Sequence, residues 1–435
     1  MSHHQANMFL FLDETGPFAA AEDPLPGSRF SPQAREMTAR LGRGEMATKY
    51  RNFRNQIFEF LDVRSFGEIK KLLGCREKWP EIDRRAYLLL GNMFGIKGTE
   101  REIIATVNNY SRTADGVIRY LRNKVLAGYS SHVEMTNEID AISSPIELLL
   151  IVFNDHYHQK ARFEAKRKLV LMSLAGSIDQ RERETDIENK FTRFLEFLNE
   201  YVWSREAKIG ELEIVYLFSK HEKENFTCLS YDIISRKEAE QIQLKSGEKL
   251  TLLKRRRFSY NGRKIPIYVS IRKKPPEAKV LKLLRKGEEN PAVAVDDELG
   301  LMGVLETPQQ IRIFQQHLTS SAIAANSFMA LEDISDSLTG GKHVARNIGS
   351  SSKTAMLKFF ARLGGMRVEF IVHTYESYLN YFYQRDVSHD EYEVKRIFDS
   401  GVAELLFPRS IYLLDMKKIR DRQLSCFRRQ IEEFL

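Results

Sequence analysis

The spacing of hydrophobic residues along the chain changes near residue 210. Before that point, stretches such as FRNQIFEFLDVRSFGEIKKLLG have the three- and four-residue spacing of amphipathic helices. After it, IVYLFSK, KLTLLKRRRFSY and KIPIYVSI alternate or run apolar over five to eight residues, as strands do. The pattern therefore predicts an α+β protein, with a helical N-terminal half followed by a mixed-sheet α/β domain.

The same pattern divides the chain into five parts. We predict an N-terminal strand and loop (1–30), a helical domain (31–145), a helical connector (146–209), an α/β domain (210–410) and a C-terminal basic helix (411–435). The apolar string MFLFLDETG opens the first part. We interpret it as a strand that docks on another domain. An Asp at the end of a strand, as Asp13 is here, also occurs in ribonuclease-H-like nucleases, but the active sites of those enzymes need three or four acids.

The helical domain contains a pattern typical of a helix-turn-helix. A short helix is predicted from Thr99 to Val107, a turn over Asn108–Ser111, and a second helix from Arg112 to Leu126. The segment resembles the fourth region of bacterial sigma factors. The side chains of the second helix that should point outward are those of Arg112, Asp115, Arg119, Arg122 and Asn123. In the functional interpretation Arg112, Arg119, Arg122 and Lys124 contact DNA or RNA. In the alternative, the hairpin serves only for packing.

Charge changes this picture in one region. The net charge is +8, and Lys254–Lys286 contains thirteen basic residues against one acid, Glu277. An anionic partner such as a nucleotide or nucleic acid is therefore plausible. Three scattered cysteines indicate a reducing compartment, and no apolar run approaches the roughly 20 residues that span a bilayer. We expect a cytoplasmic protein of bacterial or phage type, with no membrane partner.

Two stretches carry the candidate chemistry. The first has a strand bearing Arg272 and Lys274, a helix with more lysines, and an apolar strand ending at Asp297. The lysines of that helix, spaced to share one face, are Lys279, Lys282 and Lys286. Val280 and Leu284 should form the buried stripe beside them.

The second stretch is a hairpin predicted about Gly364–Gly365, whose second strand is RVEFIVHT. Side-chain alternation places Val368, Phe370 and Val372 in the core and Glu369 on the other face. A charged Glu between apolar neighbours is costly unless a cation holds it. With Asp297 opposite, Mg²⁺ is the expected cation. Asp297 and Glu369 are therefore the predicted metal ligands and catalytic residues, and the five cations Arg272, Lys274, Lys279, Lys282 and Lys286 the predicted phosphate ligands.

These residues resemble the synthetase domain of the RelA/SpoT family, a branch of the nucleotidyltransferase-like folds. The family motifs are matched in order by Arg272, Lys274, Pro276 and Lys282, then Asp297 and Gly300, then Val368, Glu369 and Thr374. His389, Tyr392 and Lys395 are candidates for a later motif. The resemblance covers roughly residues 255–400. It implies ATP as donor substrate, Mg²⁺ as cofactor, and pyrophosphoryl or nucleotidyl transfer.

The chain departs from the family where the acceptor would bind. Met302, Ile371 and His373 stand where the family has Arg, Gln and Arg. The family's acceptor-stacking segment falls near 349–354, where this chain reads GSSSKT. The chain thus matches the family's phosphate-binding residues but not its acceptor-binding residues. The acceptor could therefore differ from that of the family and be, for example, an RNA end.

The sequence leads to three hypotheses. The first is Mg²⁺-dependent phosphoryl, pyrophosphoryl or nucleotidyl transfer from ATP to a hydroxyl, coupled to nucleic-acid binding by the N-terminal half. The second is a non-catalytic DNA- or RNA-binding or regulatory protein with a degenerate nucleotide-binding domain. The third is a structural protein whose basic surface serves a protein partner.

Overall fold

A computed structural model describes residues 45–204, 213–286, 290–295, 298–338 and 354–434. The predicted strand with Asp13 lies outside these residues. The described chain forms two compact units. The helical unit contains the residues up to Arg181 together with Pro275–Ala294 and Ile397–Arg420. The sheet unit contains Glu182–Lys274, Val295–Arg396 and the residues from Asp421 onward.

Seventeen α-helices occur within the described ranges. They are α1 Glu45–Leu61, α2 Phe66–Leu73, α3 Trp79–Met93, α4 Glu100–Tyr120, α5 Asn137–Ala141, α6 Pro145–Val152, α7 Gln159–Thr185, α8 Ile187–Phe197, α9 Arg236–Ala239, α10 Pro276–Lys286, α11 Ala292–Val295, α12 Pro308–Ala324, α13 Tyr375–Tyr383, α14 His389–Asp399, α15 Val402–Leu406, α16 Arg409–Tyr412 and α17 Met416–Phe434. Short π-helical segments extend α4 over Leu121–Val125 and α8 over Leu198–Val202.

Eight strands accompany them. They are β1 Glu213–His221, β2 Cys228–Ile234, β3 Glu248–Tyr260, β4 Arg263–Lys273, β5 Leu299–Leu305, β6 Ala330–Asp336, β7 Leu357–Leu363 and β8 Met366–Thr374. The mixed helix-and-sheet architecture with a helical N-terminal part is thus confirmed. None of the helices in the described ranges is long and apolar enough to cross a membrane.

The helix-turn-helix prediction is wrong, because α4 runs without a break through the predicted turn at Asn108–Ser111. Thr99 begins the helix with a capping box: its hydroxyl accepts from the Glu102 backbone N–H, and Glu102 accepts from the Thr99 backbone N–H at 2.6 Å. Asn and Ser favour turns in isolation, but Tyr110 is buried here and its hydroxyl donates to Asp179 at 2.6 Å. Tertiary burial overrides the local preference.

The helical unit buries charged side chains on α7. Arg167 is 1% exposed, and its guanidinium donates to the Leu406 carbonyl at 2.7 Å and to the Tyr412 hydroxyl at 2.8 Å. The Tyr412 hydroxyl donates in turn to Glu164, also fully buried, at 2.8 Å. This network ties α7 to α15 and α16, which come from the C-terminal part of the chain.

The sheet unit is built on one eight-stranded sheet in the order β2-β1-β3-β4-β5-β8-β7-β6. β5 and β8 are parallel, and the other neighbouring pairs are antiparallel. The predicted hairpin at Gly364–Gly365 is present between β7 and β8, and a second hairpin turns at Asn261–Gly262 between β3 and β4. All four turn residues have positive φ, as tight hairpin turns require.

One face of this sheet packs on α8 and α12 to form the main core of the unit. Phe194 of α8 meets Phe370 of β8 edge to face, with ring centroids 6.1 Å apart, and Phe314 of α12 lies in the same core. Val368, Phe370 and Val372 all belong to this cluster. The predicted alternation of β8 is therefore confirmed, and Glu369 lies on the opposite face.

The predicted strand before Asp297 is wrong, because residues 292–295 form the short helix α11 and β5 begins at Leu299. The apolar string PAVAV has the composition of a strand. However, Asn290 Oδ1 accepts from the Ala292 N–H at 2.9 Å, and Pro291 precedes the first helical residue. This side-chain cap and the fixed φ of Pro both favour a helical start.

The C-terminal helix is present as α17, which begins at Met416. The predicted 210–410 domain differs from the observed units, because Pro275–Ala294 and Ile397–Arg420 belong to the helical unit. The chain leaves the sheet unit after β4 and returns for β5. Hydropathy marks both segments correctly as structured, but it does not say which core they join.

Candidate functional site

Arg272, Gly300 and Glu369 form a row across three adjacent strands of the sheet. Arg272 is paired with Gly300 in the β4–β5 ladder, and Gly300 with Glu369 in the β5–β8 ladder. The Arg272 side chain crosses over Gly300, and its Nη2 lies 3.0 Å from Glu369 Oε2. A Cβ added at Gly300 would lie 3.0 Å from Arg272 Nε. Glycine therefore leaves the path open for the arginine.

Lys358 reaches the same carboxylate from the other side. It lies on β7, opposite Ile371, and its Nζ is 2.7 Å from Glu369 Oε1. Each carboxylate oxygen of Glu369 is thus held by a different cation. The Glu369 side chain is 7% exposed, whereas those of Arg272 and Lys358 are 36% and 31% exposed. The acid is buried beneath two cations that solvent can reach.

The electrostatics of the cluster keep Glu369 ionised. Burial alone would raise the pKa of its carboxyl group, but Lys358, Lys274 and Arg272 outweigh burial and lower the pKa to about 2. Lys274 therefore acts on this carboxylate together with the two ion-paired cations. We call Arg272, Lys274 and Lys358, gathered around Glu369, the cation cluster.

The described residues do not fit a magnesium site. A metal ion would have to displace Arg272 and Lys358 from Glu369, since both carboxylate oxygens are already ion-paired. Nowhere in the described ranges do three or more His, Cys, Asp or Glu side chains gather to hold a metal ion. Asp297, the other predicted ligand, lies outside the described residues. Its neighbour Glu298 is buried and lies 3.6 Å from Lys273.

The predicted phosphate ligands are divided between the two units. Arg272 and Lys274 lie in the sheet unit, and Lys279, Lys282 and Lys286 lie on α10 of the helical unit. Lys279 is 1% exposed, so it cannot present its charge to solvent as predicted. The reason is that α10 buries Leu281 and Leu283 in addition to Val280 and Leu284, which were predicted to be buried. This wider buried face includes Lys279.

The predicted nucleic-acid ligands keep their helical placement but not the hairpin. Arg112 and Arg119 are exposed on α4, and Asn123 is exposed beyond its end. Arg122 and Lys124 are half-buried. Asp115 does not point outward: it is buried and accepts from Lys168 Nζ at 3.0 Å. The exposed face of α4 therefore carries fewer polar groups than the sequence suggested.

The candidates for the later family motif lie on α14. His389 stacks on Tyr381, with ring centroids 5.1 Å apart, and burial lowers the pKa of its imidazole. Tyr392 is half-buried, and Lys395 is exposed. Tyr381 also lies against His373, whose pKa burial lowers to about 3, so that this histidine is neutral at physiological pH.

Sequence reasoning missed Lys358, although the hairpin contained a signal for it. A two-glycine turn at Gly364–Gly365 pairs residues at equal distances from its centre, which places Phe360 opposite Glu369. Lys358 is two residues further along the same strand and so shares the face of Glu369. Register counted from the turn would have identified it.

Comparison with known protein families, with curated proteins and with solved structures finds no match to this chain.

Proposed function

We propose that the sheet unit binds a phosphate-bearing ligand, a nucleotide in the first instance, through the cation cluster. The observation that carries this proposal is that two cations, each about one-third exposed, share a single buried carboxylate. Two positive charges thus meet one negative charge in this pair of contacts, so that one positive charge remains uncompensated there. A polyphosphate supplies the opposite charge.

Glu369 has a positioning role in this proposal. By accepting from Arg272 and Lys358, it fixes the directions of two long side chains that would otherwise lose conformational freedom on binding. The Arg272 guanidinium retains further N–H donors, and the ammonium of Lys358 does too, so both can donate to phosphate oxygens. Such charge-assisted hydrogen bonds are the stronger kind.

Metal-dependent group transfer from ATP remains a hypothesis beside this one. It requires Asp297, outside the described residues, to meet Glu369, and it requires Glu369 to release both cations. Nucleic-acid binding by the helical unit also remains a hypothesis. Its support is that Arg112 and Arg119, seven residues apart on α4, are both exposed. Neither hypothesis is needed for the cation cluster to bind phosphate.

Replacing both Arg272 and Lys358 by Met should weaken ATP binding by about a hundredfold, because each removed charge-assisted contact costs about 1.4 kcal/mol or more. Isothermal titration calorimetry of the full chain measures the affinity, once with Mg²⁺ and once with EDTA. We expect binding in both solutions. Arg263→Met, at the exposed far end of β4, is the matched control and should bind like the unaltered protein.

Two results would contradict the proposal. One is the absence of ATP and tripolyphosphate binding at millimolar concentration. The other is equal affinity of the double variant and the Arg263→Met control. Binding that disappears in EDTA, together with transfer of label from ATP to an acceptor, would instead support the metal-dependent hypothesis.

A further inference from the structure

The sheet opens into a fork between β3 and β4. These strands pair only from Tyr260↔Arg263 at the hairpin to Arg255↔Tyr268. Beyond that point, β3 pairs with β1 on its other side, and β4 pairs with β5 on its other side. The edges that face each other across the fork therefore form no ladder.

A cleft of about 400 Å³ fills this fork. It is lined by Leu252–Lys254 of β3 on one side and by Val269–Ile271 of β4 on the other. Aromatic and sulfur-containing side chains close it, namely those of Trp203, Tyr268, Tyr378 and Met302. Among its lining residues two are cations, Lys254 and Arg256, and none is an acid. The cleft thus combines an apolar body with a positive rim.

Arg256 adds to this positive character. It is half-buried, and burial lowers the pKa of its guanidinium. No carboxylate of a described residue is ion-paired with it. A half-buried cation without a counter-ion is electrostatically costly, and an anionic ligand in the cleft would reduce that cost.

The backbone of the fork has its own hydrogen-bonding requirement. In an antiparallel strand every second residue directs both its N–H and its C=O toward one neighbour. Within the described part of the chain, β3 and β4 therefore each present to the cleft backbone N–H and C=O groups that no ladder pairs. Small-molecule sites combine such backbone groups with apolar and aromatic walls in clefts of this size. A planar heterocycle with ring N–H and ring N groups satisfies both features.

The cleft adjoins the cation cluster along the ladder. Ser270 and Met302, both lining the cleft, are paired in the β4–β5 ladder, and Arg272↔Gly300 is the next pair on the same face. Two residues of a strand span about 7 Å, which is within the reach of a ribose 5′-phosphate. The heterocycle and the phosphates of one ligand can therefore occupy the two places together.

We propose that the fork holds the nucleoside part of a nucleotide whose phosphates bind the cation cluster. This inference rests on the proposed function and adds to it the class of ligand: a nucleoside polyphosphate rather than a simple polyphosphate.

The test compares ATP with tripolyphosphate, which has the phosphates but no nucleoside. Calorimetry on the full chain should give at least tenfold tighter binding of ATP. Ser270→Leu places a larger side chain in the cleft and should remove this preference while leaving the tripolyphosphate affinity unchanged. Ser259→Leu makes the same change at an exposed serine in the paired part of β3 and should preserve the preference.

A fluorescence measurement provides a readout that does not depend on the folding of Ser270→Leu. The chain has two tryptophans, Trp79 and Trp203, so that a Trp79→Phe background reports on Trp203 at the cleft. ATP should change this emission, and tripolyphosphate should not. Equal affinities for ATP and tripolyphosphate in the unaltered protein would overturn the inference and leave the proposed function standing. Failure of both ligands to bind would overturn both.

Discussion

Arg167→Met is expected to destabilise the helical unit by about 3–5 kcal/mol. The substitution keeps most of the side-chain volume but removes a guanidinium that is 1% exposed. It leaves the Leu406 carbonyl without its 2.7 Å donor, and it leaves the Glu164 carboxylate in the interior with a nearby positive charge removed. Unfolding in urea, followed by Trp79 fluorescence in a Trp203→Phe background, reports on this unit.

The matched control for this prediction is Arg101→Met, which makes the same change at an exposed arginine on α4. It should alter the free energy of unfolding by no more than about 0.5 kcal/mol. If Arg167→Met has an effect as small as the control, the buried network does not stabilise the unit and this description of it is wrong.

Glu369 should make the stability of the sheet unit depend on pH below about 4.5. Its pKa is lowered to about 2 in the folded protein, from an ordinary value of 4.5 that represents the unfolded chain. A lowered folded-state pKa contributes stability that is fully present above the unfolded pKa and is lost as pH falls toward the folded pKa. The full contribution is about 3 kcal/mol, of which about 2 kcal/mol should be lost between pH 7 and pH 3.

Glu369→Gln isolates this contribution, because glutamine cannot titrate. The variant should be less stable than the unaltered protein at pH 7, and the difference should shrink by about 2 kcal/mol at pH 3. Urea unfolding followed by Trp203 fluorescence in the Trp79→Phe background measures both values. A constant difference between pH 7 and pH 3 would show that Glu369 is not held by the cations.

Features set by local pattern could be predicted from the sequence. The alternation of β8 placed Val368 and Phe370 in the core, and the glycine pair at Gly364–Gly365 located the β7–β8 hairpin. Each of these depends on neighbours in sequence, namely side-chain alternation along a strand or the positive φ of a turn. The same register could have located Lys358.

Features set by tertiary contacts could not be predicted in this way. The Asn108–Ser111 segment looks like a turn, yet the burial of Tyr110 keeps it helical. Lys279 has the spacing of an exposed cation, but it lies on a helix whose buried face is wider than the sequence indicates. Arg272 reaches Glu369 from β4, which is remote in sequence, and the fork depends on where the β3–β4 ladder stops. None of these is encoded in local spacing.

The most direct test of the central claim observes the Glu369 carboxyl group itself. Carbon-13 NMR of protein labelled at glutamate carboxyl carbons, with Glu369→Gln to assign the signal, can follow it at pH 7. Tripolyphosphate should shift this signal, because its phosphates bind the same cations that hold the carboxylate. Mg²⁺ alone should leave the signal unchanged. A signal that moves with Mg²⁺ and ignores tripolyphosphate would contradict the account and identify Glu369 as a metal ligand.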